Sequence, residues 1–122
     1  MGREGPETRL VRKVRAEAKK VYGDRFDSVK IHGSGYARAG VSDLLICLDG
    51  VFVAAEAKAP ESYGGSVERA VERGPSEKQK AYIEVVKKAG GVAGAFADLD
   101  GFMALLAEAE KKARKRKKKE KT

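Results

Sequence analysis

Residues 43–58, DLLICLDGVFVAAEAK, read as two β-type runs on either side of Asp49-Gly50. Asp-Gly between two apolar runs is among the strongest short-range hairpin signals, because a two-residue turn needs positive φ at both central positions. A turn of that length fixes the register: cross-strand partners have numbers that sum to 99, so Leu48 faces Val51, Ile46 faces Val53 and Asp43 faces Glu56. Directly opposed side chains have Cβ atoms roughly 4.5–5.5 Å apart, and like charges there destabilise unless something compensates. Strand alternation puts Lys58 on the same face as Glu56. The hairpin therefore predicts one cluster of Asp43, Glu56 and Lys58 at the end of two strands.

The rest of the hairpin is apolar on both faces. Leu45, Cys47, Phe52 and Ala54 share the face of the cluster, and Leu44, Ile46, Leu48, Val51, Val53, Ala55 and Ala57 make the other. A sheet apolar on both sides is expected to be covered by helices on both sides, with Cys47 a buried thiol.

Upstream, Leu10, Val11, Val14, Ala18, Val21 and Tyr22 recur at three- and four-residue spacing, which predicts an amphipathic helix over residues 6–22. Pro6 suits its first turn. Glu7 lies on the apolar stripe near the start, and reads either as a functional carboxylate or as an acid favoured by the helix dipole. A β-prone segment at 28–32 (SVKIH) leads into a glycine-punctuated loop, GSGYARAG, at 33–40, expected to be exposed and mobile. Its Tyr36 and Arg38 suit a ligand contact or a plain surface turn. His32, with no partner in the pattern, reads as structural.

Downstream, Pro60 ends the second strand and residues 59–75 form an excursion, with a short helix expected at 66–73. Ser76 starts a helix to about Lys88, and Ser76 with Gln79 fits a capping box. Gly90-Gly91 stops it. A buried strand at 92–97 and a helix over 99–113, capped by Asp98 or Asp100, complete the order α-β-β-β-α-β-α. The fold class expected is α/β, a mixed central sheet flanked by helices.

The chain has 122 residues and a net charge of +8, enough for one domain. Residues 111–122 (KKARKRKKKEKT) hold nine Lys or Arg and one Glu, which leaves 17 charges of each sign in the rest. A neutral domain over 1–110 is thus expected to carry a basic, disordered tail over 111–122. No apolar run approaches a membrane span, and MGREGPETRL is no signal peptide, so a cytoplasmic protein without membrane contact is expected. One cysteine and one histidine exclude an internal disulfide and a Cys/His zinc site. Any metal must be hard and oxygen-ligated.

Two carboxylates with a lysine beside them suit Mg²⁺-assisted hydrolysis, in which Asp43, Glu56 and a backbone carbonyl such as that of Ala57 hold the ion. The alternative is a structural salt bridge at a strand end.

With these residues in place, the chain resembles the VRR-type (virus-type replication-repair) nuclease domain of the PD-(D/E)xK superfamily. The pieces that carry the resemblance are Glu7, SGYARAG at 34–40, the Ser42-Asp43 pair, Glu56-Ala57-Lys58, Gln79 in the following helix, and AGGVAG at 89–94, in that order. The resemblance implies a restriction-endonuclease-like core. It implies Asp43 and Glu56 as metal ligands, Lys58 as catalytic lysine, Glu7 as a helper carboxylate for metal or water, and Gln79 as a residue that orients a ligand or positions water. The expected activity is a Mg²⁺-dependent deoxyribonuclease, with Mn²⁺ able to substitute, cutting structured or branched DNA such as a flap or four-way junction in replication, repair or recombination. A homodimer working on nucleoid or viral DNA goes with it. Ser42 stands where the pattern has proline, and the 59–75 excursion is longer than the usual link. With Arg69, Arg73 and Lys78 nearby, that excursion is expected to touch DNA, as are Tyr36 and Arg38. Two alternatives stand: an archaeal-type junction resolvase of the same superfamily, and a non-catalytic nucleic-acid-binding protein working through its basic tail.

Overall fold

The computed structural model describes residues 4–32 and 38–121. In chain order the elements are α1 (Pro6–Tyr22), β1 (Phe26–Lys30), β2 (Leu44–Leu48), β3 (Val51–Ala57), α2 (Val67–Arg73), α3 (Glu77–Lys88), β4 (Val92–Phe96) and α4 (Leu99–Lys121). The protein is α/β, with one four-stranded sheet in the order β1-β2-β3-β4. β1, β2 and β3 run antiparallel, and β4 pairs parallel with β3. The element order follows the expected one with α2 added, a full helical element inside the 59–75 excursion.

The hairpin forms as the sequence predicts. Asp49 and Gly50 take φ of 52° and 80°, and the partners run from Leu48↔Val51 to Leu44↔Ala55. Continuing the same register sets Asp43 opposite Glu56, although the ladder itself stops at Leu44.

On one face, α1 and α4 cover the sheet. Val11, Val14, Ala18 and Tyr22 of α1 pack with Leu44, Ile46, Leu48, Val51, Val53, Phe96, Phe102 and Leu106. The Phe96 and Phe102 rings meet edge to face at 5.0 Å between centroids. Asp98, not Asp100, caps α4, accepting from Gly101 N at 2.8 Å.

The other face departs from expectation. Among the described residues, α3 alone packs an apolar stripe on it, through Ile83 and Val86 against Ala54 and Ala93. The side chains of Val29, Cys47 and Phe52 look outward: Val29 is 55% exposed, Phe52 43%, and Cys47 is an exposed thiol rather than a core one. One helix of this length cannot span four strands: its cluster reaches Leu45 of β2, which is half-buried against it, and leaves Val29 and Cys47 facing outward.

Residues 111–121 are a second correction. They continue α4 as helix to Lys121 instead of forming a disordered tail. The packed stripe of α4 runs past Leu106 to Ala109 and Ala113, which is buried. Glu110 anchors the same stretch, accepting from Tyr22 Oη at 2.9 Å and Arg25 Nη2 at 2.9 Å. Residues 114–120 are exposed. The expected helix ends at residue 113, and these exposed residues continue it without any burial of their own.

Candidate active site

At the end of the hairpin away from the turn, β3 ends in Glu56-Ala57 and the chain before β2 supplies Asp43. The Asp43 carboxylate is fixed by the backbone it faces: Oδ2 accepts from Ala57 N at 2.8 Å. Its other oxygen lies 3.5 Å from Lys30 Nζ, at the end of β1. Lys58 N donates to Phe96 O at 2.9 Å, which extends the β3–β4 ladder one residue and holds the lysine at the sheet margin.

Glu56 is 2% exposed. Gln79 Nε2 donates to its Oε1 at 2.9 Å, and Lys58 Nζ stands 3.7 Å from the same oxygen. Its Oε2 is buried with no hydrogen-bond partner among the described residues. Burial, and after it the neighbouring Asp43 carboxylate, push the Glu56 carboxyl up to about 8, while the Lys58 ammonium pulls it down. A buried, half-satisfied carboxylate next to another carboxylate is costly in isolation. A cation between the two would remove that cost. Mg²⁺ is commonly held by one or two carboxylates plus water and substrate oxygens, so Asp43, Glu56 and the Ala57 carbonyl fit as a donor set. Among the described residues no group of three or more His, Cys, Asp or Glu side chains forms a metal site, so Glu7 does not complete a third carboxylate with this pair. Glu7 lies exposed in the first turn of α1.

Gln79 answers both of its sequence readings at once. Its backbone N–H donates to Ser76 Oγ at 3.1 Å and its Oε1 accepts from Ser76 N at 2.8 Å, a complete capping box. The remaining amide nitrogen is what reaches Glu56. The cap thus locks the rotamer that supports the carboxylate.

Gly74 holds Lys58 in place from the other side. Its backbone is ordinary helical, φ −69°, yet a Cβ there would sit 2.4 Å from the Ala70 carbonyl and 2.7 and 2.8 Å from Lys58 Cγ and Cδ. Nothing in the sequence flagged Gly74, because a helix-terminating Gly-Pro explains itself locally. Lys30 was missed for a different reason: the hairpin register says nothing about where β1 docks.

The predicted substrate contacts scatter. Arg38 stacks over the Tyr82 ring of α3 at 5.3 Å, and Gly40 (φ +84°) packs against the Lys78 carbonyl so closely that only glycine fits. That brings Arg38, Lys78 and Tyr82 to the helix start that carries Gln79. Arg69 and Arg73 are exposed on α2. Tyr36 lies outside the described residues. Ser42 is buried, its hydroxyl without a hydrogen-bond partner among the described residues.

Comparison with protein-family models, with curated proteins and with solved structures found no match for this chain, so the functional reading rests on its own residues.

Proposed function

We propose that the protein is a divalent-metal-dependent deoxyribonuclease of the VRR type, an endonuclease on structured or branched DNA. The observation that carries this reading is the buried, unpartnered Glu56 Oε2 beside Asp43, with the Lys58 ammonium 3.7 Å from the other Glu56 oxygen. A salt bridge built only for stability would satisfy both carboxylate oxygens. The antiparallel hairpin with its carboxylates at the strand ends, backed by α1 and flanked by α3, is consistent with a restriction-endonuclease-like core.

In this reading Asp43 and Glu56, with the Ala57 carbonyl, hold Mg²⁺ or Mn²⁺. The bound ion supplies Lewis-acid polarisation of the scissile phosphate and a more acidic water. Asp43 enters preoriented by the Ala57 N–H. Glu56 is oriented by Gln79 and kept out of bulk water, which strengthens its hold on a cation. Lys58 supplies a positive charge to position the attacking water and stabilise charge on the phosphoryl oxygens. Glu7, in the first turn of α1, is left with a helper role at most through water. Arg38, Lys78, Arg69 and Arg73 are the side chains proposed to touch the phosphate backbone.

Among the described residues no helix is long and apolar enough to cross a membrane; a cytoplasmic place on nucleoid or viral DNA belongs to the same proposal. So does the homodimer, for which the outward-facing Val29, Cys47 and Phe52 offer an apolar surface to a second copy of the chain.

A non-catalytic binding protein is the second reading, favoured by the exposed basic end of α4. The test is cleavage of labelled single-stranded, duplex, flap and four-way-junction DNA with Mg²⁺, Mn²⁺ or EDTA, comparing wild type with Glu56→Ala and Lys58→Ala. Metal-dependent cutting that both variants lose, while still binding, supports the nuclease. Binding in EDTA that disappears with residues 111–122, and no cutting in any metal, supports the binder.

A further inference from the structure

Away from the carboxylates, α1 and β1 enclose a cleft of about 400 Å³. Thr8, Val11, Arg12, Arg15, Lys30 and His32 line it. Four of these are basic side chains, converging from two elements: Arg12 and Arg15 are three apart on one face of α1, and Lys30 and His32 are two apart along the sheet edge. Backbone pairing keeps the edge regular to that point, since Ile31 N donates to Asp43 O at 2.8 Å. Arg15 is held in place by Ser28, donating from Nε to Oγ at 2.9 Å and from Nη2 to the carbonyl at 3.1 Å. Those two bonds leave other guanidinium N–H groups for a ligand. Glu4 also lines the cleft and pairs with Arg12.

Lys30 joins this cleft to the candidate active site, its ammonium 3.5 Å from Asp43 Oδ1. We propose that the α1–β1 cleft binds the phosphodiester backbone of a single nucleic-acid strand as it leaves the Asp43–Glu56 centre. The inference rests on the nuclease reading for its direction, and on the cleft itself for its chemistry. Arg12 and Arg15 on one wall and Lys30 on the other give three cations around the cleft, with the His32 ring beside Lys30, and a phosphate that passes between them would compete with Glu4 for Arg12. Val11, 4% exposed, gives the floor an apolar point against which a sugar or base can rest. By sequence His32 reads as structural; in the structure it is exposed and faces the cleft.

The test uses the full chain in EDTA, so that binding is read without cutting. A short fluorescent single-stranded oligonucleotide is titrated against wild type, Thr8→Glu and Arg12→Ala at several salt concentrations. Thr8 is exposed on α1, and glutamate is a good helix former there, so this variant adds charge to the cleft without loss of packing. The expected result is roughly three- to tenfold weaker binding for each variant, with the salt slope of Arg12→Ala lower by about one. His32 is the only histidine, so its single set of ring resonances reports the cleft directly and should shift on titration. Wild-type affinity in both variants with an unmoved His32 signal overturns the proposal, as does equal displacement of the oligonucleotide by polyglutamate. Mg²⁺-dependent cutting by wild type is measured alongside. Cutting without any cleft effect sinks the cleft alone; cleft effects without cutting sink the nuclease reading alone.

Discussion

The two ends of β3 each hold a pair of carboxylates, and the pairs are treated in opposite ways. At the hairpin turn, Asp49 and Glu110 share Arg25: Arg25 Nε and Nη2 donate to Asp49 at 2.9 and 2.7 Å, and Nη2 also reaches Glu110 at 2.9 Å. The arginine is half exposed, and its bonds hold the Asp49 carboxyl below the usual range. About 17 Å away along the strand, by strand rise, Asp43 and Glu56 have two lysines at 3.5 and 3.7 Å instead of a bidentate arginine. There Glu56 is buried, one of its oxygens is unpartnered among the described residues, and its carboxyl is pushed up to about 8. The first pair is closed by the protein's own cation; the second is open to one from outside. The satisfied carboxylates near the turn act as structure, and the unsatisfied one at the buried strand end is the feature on which the proposed site rests.

The largest effect that separates the two ends should come from Glu56→Gln. In the nuclease reading it lowers the cleavage rate by roughly three orders of magnitude or more, about 4 kcal/mol of barrier. Asp49→Asn should leave the rate unchanged. The amide that replaces the carboxylate at position 56 can still accept from Gln79 Nε2 and can donate toward Asp43, so thermal melting of the metal-free variant should match or exceed wild type at about pH 8, where the wild-type carboxyl is giving up its proton. A cleavage assay and a melt on each variant check both halves.

Gly74→Ala comes next. Its Cβ would lie 2.4 Å from the Ala70 carbonyl and 2.7 and 2.8 Å from the Lys58 stem, so the end of α2 shifts and the Lys58 side chain shifts with it. In the nuclease reading, a displacement of that size at Lys58 should lower kcat roughly ten- to hundredfold with little change in KM. Single-turnover rates compared with DNA affinity measure the split, and circular dichroism checks that the helices persist.

Much of this contrast was legible in the sequence. Asp49-Gly50 and the alternating runs around it set the register, and the register alone brought Asp43 to Glu56. Lys58 followed from alternation. What was not legible depends on packing between elements distant in sequence. Cys47 lies on an apolar face, yet the α3 cluster reaches along β2 only to Leu45. Residues 114–120 are exposed and carry no apolar stripe, so their composition reads as tail although the helix runs on through them. The Gln79 dual contact needed the distance from α3 to β3. The helper role for Glu7 was carried by resemblance, and its exposed place at the start of α1 brings it no bond to the pair among the described residues.

Proton linkage should distinguish the ends with a smaller, pH-dependent signal. Glu56 has a raised carboxyl in the folded state, so the folded protein binds more protons than the unfolded one between about pH 4.5 and 8. Without metal, stability should therefore fall as pH rises through that window, by roughly 1 kcal/mol per pH unit at the steepest. In the nuclease reading Mg²⁺ would compete with the proton, so its gain in Tm should be larger at about pH 8 than at about pH 6. Melting curves across pH, with Mg²⁺ or EDTA, should show this slope in wild type and a flat profile in Glu56→Gln.

The hairpin end should show the reverse sign and the smallest effect. The Asp49 carboxyl is held down by Arg25, so its contribution is present above the ordinary carboxylate range and is lost as pH falls through its lowered value. Asn is the informative replacement, because it tolerates the positive φ of 52° that Asp49 takes in the turn and removes only the charge. Arg25 would keep Glu110 as a partner, and the pair is solvent-exposed enough for screening to weaken it. Asp49→Asn should therefore lower Tm by no more than a few degrees at neutral pH, the difference shrinking in high salt and vanishing in acid. A loss much larger than that, or one indifferent to salt, would mean that the hairpin end is no simple closed ion pair, and the contrast with the Asp43–Glu56 end would have to be redrawn.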